Sequence, residues 1–316
     1  AFGVVADVQY ADADDGYDFS GCRRRYYRQS LSLLRNAVRA WAAERPPLSF
    51  VLQLGDSIDG LNARRGEAEG ALAQVLEVLR GLPVPVHHAW GNHELYNFSR
   101  ARLVRSGLGS RPAGASAGPP ARDCRACHCH AYHFSPAPPF RVVLLDAYDL
   151  STLGREPDSP RYKESLRLLR EKNPNDNLND PRGLQEPQFV EFNGGFSQAQ
   201  LDWFDEVLKL SDENQEKVVV TGHLPIHPDA SDRASLAWNY QDALSVIHSH
   251  QCVVCFLAGH MHDGGYCLDS HGVHHLTLEG VIETPPESDA FGTIYVYEDK
   301  MILKGRGRIS DRVMPF

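Results

Sequence analysis

The sequence predicts an α/β fold on three observations. Short Val- and Leu-rich strands alternate with helical patterns as far as His260, strand patterns joined by turns fill the remainder, and polar clusters recur where strands end. The strand-rich tail implies a second sheet that is largely antiparallel. At 316 residues the chain can bury a sizeable core, and the reading is a single domain over 1–316.

Strands are expected over 2–6, 50–54, 84–90, 141–145, 217–220 and 253–258, each an apolar run of strand length. Leu31, Leu34, Val38 and Trp41 recur at helical spacing, and Pro46-Pro47 ends that pattern. A second helix is expected over 71–82. Ser197 and Gln200 form a capping box ahead of Leu201, Phe204 and Leu208, so a helix begins there. Strands then follow over 265–268, 273–278, 292–297 and 301–304. Two segments break the alternation: 107–130, rich in Gly, Pro, Ala and Arg, and the polar stretch 147–195. Irregular segments this long inside a domain are usually functional or disordered, and the second is a candidate substrate lid.

A composition of 42% hydrophobic and 23% charged residues excludes a disordered or collagen-like chain. A formal charge of −9 gives no general attraction for nucleic acid or anionic membrane, and no run approaches the roughly 18 apolar residues of a membrane span. The opening residues read as a core strand rather than a signal peptide. Seven cysteines, an odd number in a chain too large to need staples, are expected to be free thiols of a cytoplasmic protein.

The chemistry lies after the strands. Asp7 and Gln9 follow the first, Asp56 and Asp59 the second, Asn92, His93 and Glu94 the third, His223 the fifth, and His260 and His262 the sixth. An open α/β sheet gathers its ligand site at such strand ends. Two carboxylates, two amides and three imidazoles without thiolates suit a pair of Mn²⁺, Mg²⁺, Fe²⁺ or Zn²⁺ ions. Asp56 can bridge the pair. Two ions about 3.5–4 Å apart acidify water and hold both oxygens of an in-line phosphoryl displacement.

The ordered set Asp-x-Gln, Gly-Asp, Gly-Asn-His-Glu, Gly-His and Gly-His-x-His resembles that of the calcineurin-type metallophosphoesterase family across Asp7 to His262. The resemblance implies two mixed β-sheets packed face to face and flanked by helices, a four-layer α/β/β/α sandwich. It also implies one metal on Asp7, Gln9, Asp56 and His262, and a second on Asp56, Asn92, His223 and His260. By the same resemblance His93 stabilises phosphate charge or protonates the leaving oxygen, with Asp59 orienting it, and Asn92 and His93 touch the substrate. Gln9 stands where most of the family has His. An amide oxygen is a poorer donor to a borderline-soft ion than imidazole, so Mn²⁺ is the expected metal. The same residue narrows the resemblance to a manganese-dependent branch that hydrolyses the pyrophosphate of ADP-ribose and of CDP-alcohols such as CDP-choline. Gly60 and Asp59 depart from protein-phosphatase and purple-acid-phosphatase patterns, respectively. A phosphodiesterase acting on cyclic nucleotides or other phosphodiesters remains an alternative, and a non-catalytic scaffold another.

The partner expected is a small nucleotide substrate, bound by a monomer. Phe19 and Leu178 are candidates for the slot that holds the base. The tract Cys124-Arg-Ala-Cys127-His-Cys129-His130 has half of a zinc site's spacing and is read as free thiols, as are Cys252 and Cys255. Arg23-Arg24-Arg25 is read as a solvated face, and Glu94 as supporting the site rather than reacting in it.

Overall fold

The computed structural model describes residues 1–18, 20–109 and 129–316. In chain order they form β1 (Phe2–Val5), β2 (Gly16–Tyr17), β3 (Arg24–Arg25), α1 (Ser30–Ala42), β4 (Phe50–Gln53), α2 (Leu61–Arg65), α3 (Ala68–Leu79), β5 (Val86–His88), α4 (Asn92–Asn97) and α5 (Arg100–Val104). Then come β6 (Tyr132–Ala137), β7 (Phe140–Leu144), α6 (Pro160–Lys172), α7 (Gln198–Glu213), β8 (Lys217–Thr221), α8 (Tyr240–His248) and β9 (Val253–Ala258). The chain closes with β10 (Asp263–Leu268), β11 (His274–Glu279), β12 (Ala290–Val296), β13 (Lys300–Gly307) and β14 (Arg312–Pro315).

Two six-stranded sheets carry the fold, one in the order β14-β13-β12-β1-β4-β5 and the other β10-β11-β9-β8-β7-β6. They pack face to face. Alternate side chains of one sheet, including Phe2, Val4, Phe50 and Leu52, meet Val142, Leu144, Val219, Leu257 and Leu278 of the other in a shared core. The opposite faces are covered by helices, so Val5 and Val51 join Leu34, Val38 and Val75, while Val143 and Val220 join Phe204 and Leu208. Strands buried on both faces read as unbroken apolar runs, which explains why β1, β4, β8 and β9 stood out in the sequence.

The sheets depart from the sequence reading in one respect. The strand-rich tail builds no sheet of its own: β10 and β11 edge the second sheet, and β12 to β14 extend the first. Three of the second sheet's five pairings are parallel, β11·β9, β9·β8 and β8·β7, so it is not largely antiparallel. The antiparallel pairings gather instead in the first sheet, where β12 pairs β1, β13 pairs β12 and β14 pairs β13. The chain crosses between sheets at residues 280–283, where Val281 and Ile282 N–H groups donate to the Ala6 and Asp7 carbonyls at 3.2 and 2.9 Å.

The 147–195 segment is only partly irregular. It contains α6, capped by Ser159, whose hydroxyl accepts the Tyr162 N–H, and opened by Pro160. The helix buries only Ser165 and Leu169, so its apolar stripe is too thin to read as periodicity. Most of the 107–130 insertion lies outside the described residues, Cys124 and Cys127 included.

Candidate metal centre

The strand ends deliver the seven expected donors to one place. Asp7 and Gln9 follow β1, Asp56 follows β4, Asn92 opens α4 after β5, His223 follows β8, and His260 and His262 follow β9. Backbone bonds stitch the first two loops together, Asp7 N–H to the Gly55 carbonyl at 3.1 Å and Gln9 N–H to that of Asp56 at 2.8 Å. Asp7, Gln9, Asp56 and His260 all adopt left-handed backbone, with φ of 53°, 43°, 57° and 70°. Each such residue costs about 1–3 kcal/mol and persists only where its surroundings enforce it. Close approach adds a second constraint. A Cβ on Gly91 would stand 2.0 Å from Asp56 Oδ1, and one on Gly55, itself at φ 101°, 2.3 Å from His223 Nδ1.

Each imidazole is fixed through the nitrogen that does not face the cluster. His223 Nδ1 donates to the Leu54 carbonyl at 2.7 Å, His262 Nδ1 to Glu283 at 2.8 Å, and His260 Nε2 to Asn193 Oδ1 at 2.9 Å. His223 Nε2 then stands 3.4 Å from Asp56 Oδ2, and His262 Nε2 3.5 Å from Asp7 Oδ1. Donor atoms of Asp56, His223 and His260 lie within 4.8 Å of one another. Tyr148 OH donates to Asn92 Oδ1 at 3.2 Å, and Gln9 Nε2 donates to Asp56 Oδ2 at 3.2 Å. Burial alone would raise the Asp56 carboxyl, but His223 and His93 hold it below the usual carboxylate range. Burial opposes charge on His262, yet hydrogen bonds to Asp7 and Glu283 push its pKa up to about 9.

Two of the expected ligand residues present a buried atom with no hydrogen-bond partner, Gln9 Oε1 and His223 Nε2. Both are lone-pair donors among carboxylates, where a cation would satisfy them. The donor set therefore fits divalent metal.

His93 is positioned by the backbone and not, as expected, by a hydrogen bond to Asp59, because its Nδ1 is an acceptor. The Gly60 N–H donates to its Nδ1 at 2.8 Å, and Asp59 Oδ2 stands 3.3 Å from the same nitrogen. With Nδ1 accepting from the backbone, the ring's proton resides on Nε2, which is 3.9 Å from Asp56 Oδ2. Glu94 is fully buried and organises the backbone: Oε2 accepts N–H groups from Asp56 and Gly91, each at 2.8 Å, and Oε1 accepts that of Ser57.

The donors open onto a cleft of about 440 Å³, whose walls include Arg23, Arg25, Tyr96, Pro181, Phe192 and Asp232. Two sequence expectations change here. Leu178 does not line the cleft: it is packed with Leu169, Phe189 and Trp238 in a small core of its own within the insertion. Phe192 is an aromatic side chain of the insertion that does line it. The arginine run is not uniformly solvated either. Arg25, 16% exposed, and Arg23 face the cleft and Glu283, whereas Arg24 pairs with Asp15 outside it. Period-2 alternation over 23–25 was the available signal. Phe19 lies outside the described residues. Asn193 and Glu283, which hold His260 and His262, were not legible because each lies far along the chain from the histidine it meets.

A model of the calcineurin-like phosphoesterase family matches residues 1–264. The chain is 57% identical over 316 residues to the manganese-dependent ADP-ribose/CDP-alcohol diphosphatase of Bos taurus, covering all of this chain and 94% of that one. It is 40% identical to the protein of that name from Arabidopsis thaliana, over 98% of this chain and 94% of the relative. The crystal structure of a dimetal phosphatase from Danio rerio superposes with a TM-score of 0.94 at 53% identity, over 99% of this chain and 98% of that one. With the donor cluster, the two-sheet sandwich and these likenesses in agreement, the chain belongs to the calcineurin-like phosphoesterase family.

Proposed function

We propose that this protein is a manganese-dependent hydrolase of the pyrophosphate bond in nucleoside-diphosphate-linked molecules, ADP-ribose and CDP-alcohols such as CDP-choline among them. Water adds to one phosphorus, the P–O–P bridge breaks, and a nucleoside monophosphate leaves beside a phosphorylated sugar or alcohol. The observation that carries the reading is Gln9 within an otherwise complete donor set, in a chain matched end to end by relatives bearing that activity in their name.

Asp7, Gln9, Asp56 and His262 would hold one ion, and Asp56, Asn92, His223 and His260 the other. When bound, the pair supplies Lewis-acid charge and acidified water. His93, with its proton on Nε2, donates to a phosphate oxygen as negative charge grows there. The Gly60 N–H keeps that ring in place, and Asp59, whose Oδ1 accepts the Leu61 N–H at 2.8 Å, shapes the turn that presents it. Arg25 and Arg23 offer cationic edges for the second phosphate, and Phe192 and Tyr96 offer faces for a base or ribose.

The insertion acts in this reading as a fixed wall of a single metallophosphoesterase domain, since Asn193 and Tyr148 bond to His260 and Asn92. No helix among the described residues is long and apolar enough to cross a membrane. Free thiols at Cys22, Cys252, Cys255 and Cys267 support a cytoplasmic setting. One chain supplies every proposed ligand, which supports a monomer. A panel of ADP-ribose, CDP-choline, cyclic AMP and an aryl phosphodiester tests the proposal. Faster turnover of the two pyrophosphates, abolished in Asp56→Ala, is expected, whereas faster turnover of either phosphodiester would overturn it.

A further inference from the structure

We propose that the protein carries a second metal site, separate from the cleft, in which His227, Asp269 and His275 hold a zinc ion or another late first-row divalent cation, with Cys267 as a fourth donor. None of these residues lines the cleft. Donor atoms of the first three lie within 4.8 Å of one another. The thiol of Cys267 stands 3.1 Å from His227 Nδ1, and Cys267 and His275 face each other in the β10·β11 ladder. The imidazoles of His227 and His275 are 4.7 Å apart between centroids.

Hydrogen bonding alone leaves this cluster incomplete. Asp269 Oδ1 accepts the backbone N–H groups of His271 and Val273, each at 2.9 Å, which aims Oδ2 at the imidazoles. His275 Nε2 and His248 Nε2 both donate to that oxygen at 2.9 Å. The other nitrogen of His275, a residue 2% exposed, is then a buried lone pair with no partner. An ion shared with Asp269 would take Nε2, and the ring proton would move to that other nitrogen. Donors about 3.4 Å apart suit a tetrahedral ion with bonds of about 2.1 Å, and the cluster would close to that spacing around the ion. Two imidazoles, a carboxylate and a thiol form a softer set than the seven oxygen and nitrogen donors of the cleft, and they select zinc where the cleft tolerates manganese.

The site would also fix a loop. His227 lies between His223 and Asp232, and the same stretch is tied to β11 by Thr277 Oγ1 donating to the Ala230 carbonyl at 2.8 Å. An ion on His227 would join this loop to the β10–β11 edge a second time.

The test is metal content and cobalt spectroscopy on the full chain, stripped with chelator and reloaded with excess Mn²⁺ plus limiting Zn²⁺ or Co²⁺. The wild type should retain one equivalent of zinc that His227→Gln and His275→Ala release at least tenfold more readily. The cobalt form should show a thiolate-to-cobalt charge-transfer band that Cys267→Ser removes. Hydrolysis of ADP-ribose in Mn²⁺ by His227→Gln reports a correct fold, and that partly exposed position carries the test should His275→Ala fail to fold. Equal zinc retention in wild type and His227→Gln would overturn the proposal. So would an equivalent lost on Cys124→Ser and kept in His227→Gln.

Discussion

Glu94 grips Asp56 by its backbone rather than by charge, accepting the Asp56 N–H at 2.8 Å while the same oxygen accepts that of Gly91. The turn that presents the candidate bridging carboxylate and the turn that presents Asn92 therefore share one anchor. Burial and the charge on Asp56 push the Glu94 carboxyl up to about 7, against the three N–H donors that favour its anion. Glu94→Gln places an amide N–H where an acceptor is needed. It should cost about 1–3 kcal/mol in stability and about 10- to 100-fold in activity, read by thermal melts and by Mn²⁺ titration of turnover.

Gln9→His restores an imidazole beside His262, whose Nε2 stands 2.9 Å from the Gln9 amide nitrogen. Zinc should then be retained through gel filtration and activity in zinc should rise relative to manganese. An unchanged Zn/Mn activity ratio would refute the role given to this amide.

His93→Ala should lower kcat by about 10²- to 10³-fold with metal content unchanged, because the residue acts on phosphate charge rather than as a ligand. Elemental analysis beside steady-state kinetics separates the two. Loss of metal in proportion to activity would place His93 among the ligands.

Phe192→Ala should raise KM and alter the ADP-ribose to CDP-choline preference, whereas Leu178→Ala should act on stability, by about 2–5 kcal/mol, with the preference intact. Urea unfolding and the two substrates measure both. The reverse pattern would return Leu178 to the base slot.

Acid should loosen the fold through its buried histidines, before the exposed carboxylates titrate. Burial lowers His87 to about 4, His88 to about 3 and His133 to about 4, so the folded chain keeps them neutral while the unfolded chain protonates them near pH 6.5. Their stabilising contribution is complete above pH 6.5 and declines as pH falls through 6.5 toward 4. Each histidine adds a slope of up to about 1.4 kcal/mol per pH unit. Urea midpoints between pH 7.5 and 5 should fall accordingly. His87→Phe, which preserves the stack on Phe134 at 3.7 Å, should flatten the slope.

The seven donors were legible because each follows a strand that reads clearly, so local sequence alone ranks them. Leu178 and Phe192 were not separable on the same grounds. Leu178 stands alone among Asn and Asp and Phe192 closes a short apolar run with Phe189 and Val190, and only the tertiary course of the insertion turns one inward and the other to the cleft. α6 was missed for want of an apolar stripe, although Ser159-Pro160 is a sound helix-start signal. The division of the tail between two sheets depends on the crossing at Gly280, where the residues carry no periodicity to announce it.

The four donors on left-handed backbone give the chain a lasting tension. A polypeptide shaped for durability alone would set glycine at those bends, which would relax them. Here the same places bear acids, an amide and an imidazole, so readiness to bind cations is kept at the expense of thermal resilience. Capturing the ions is then what lets the native state recover its margin.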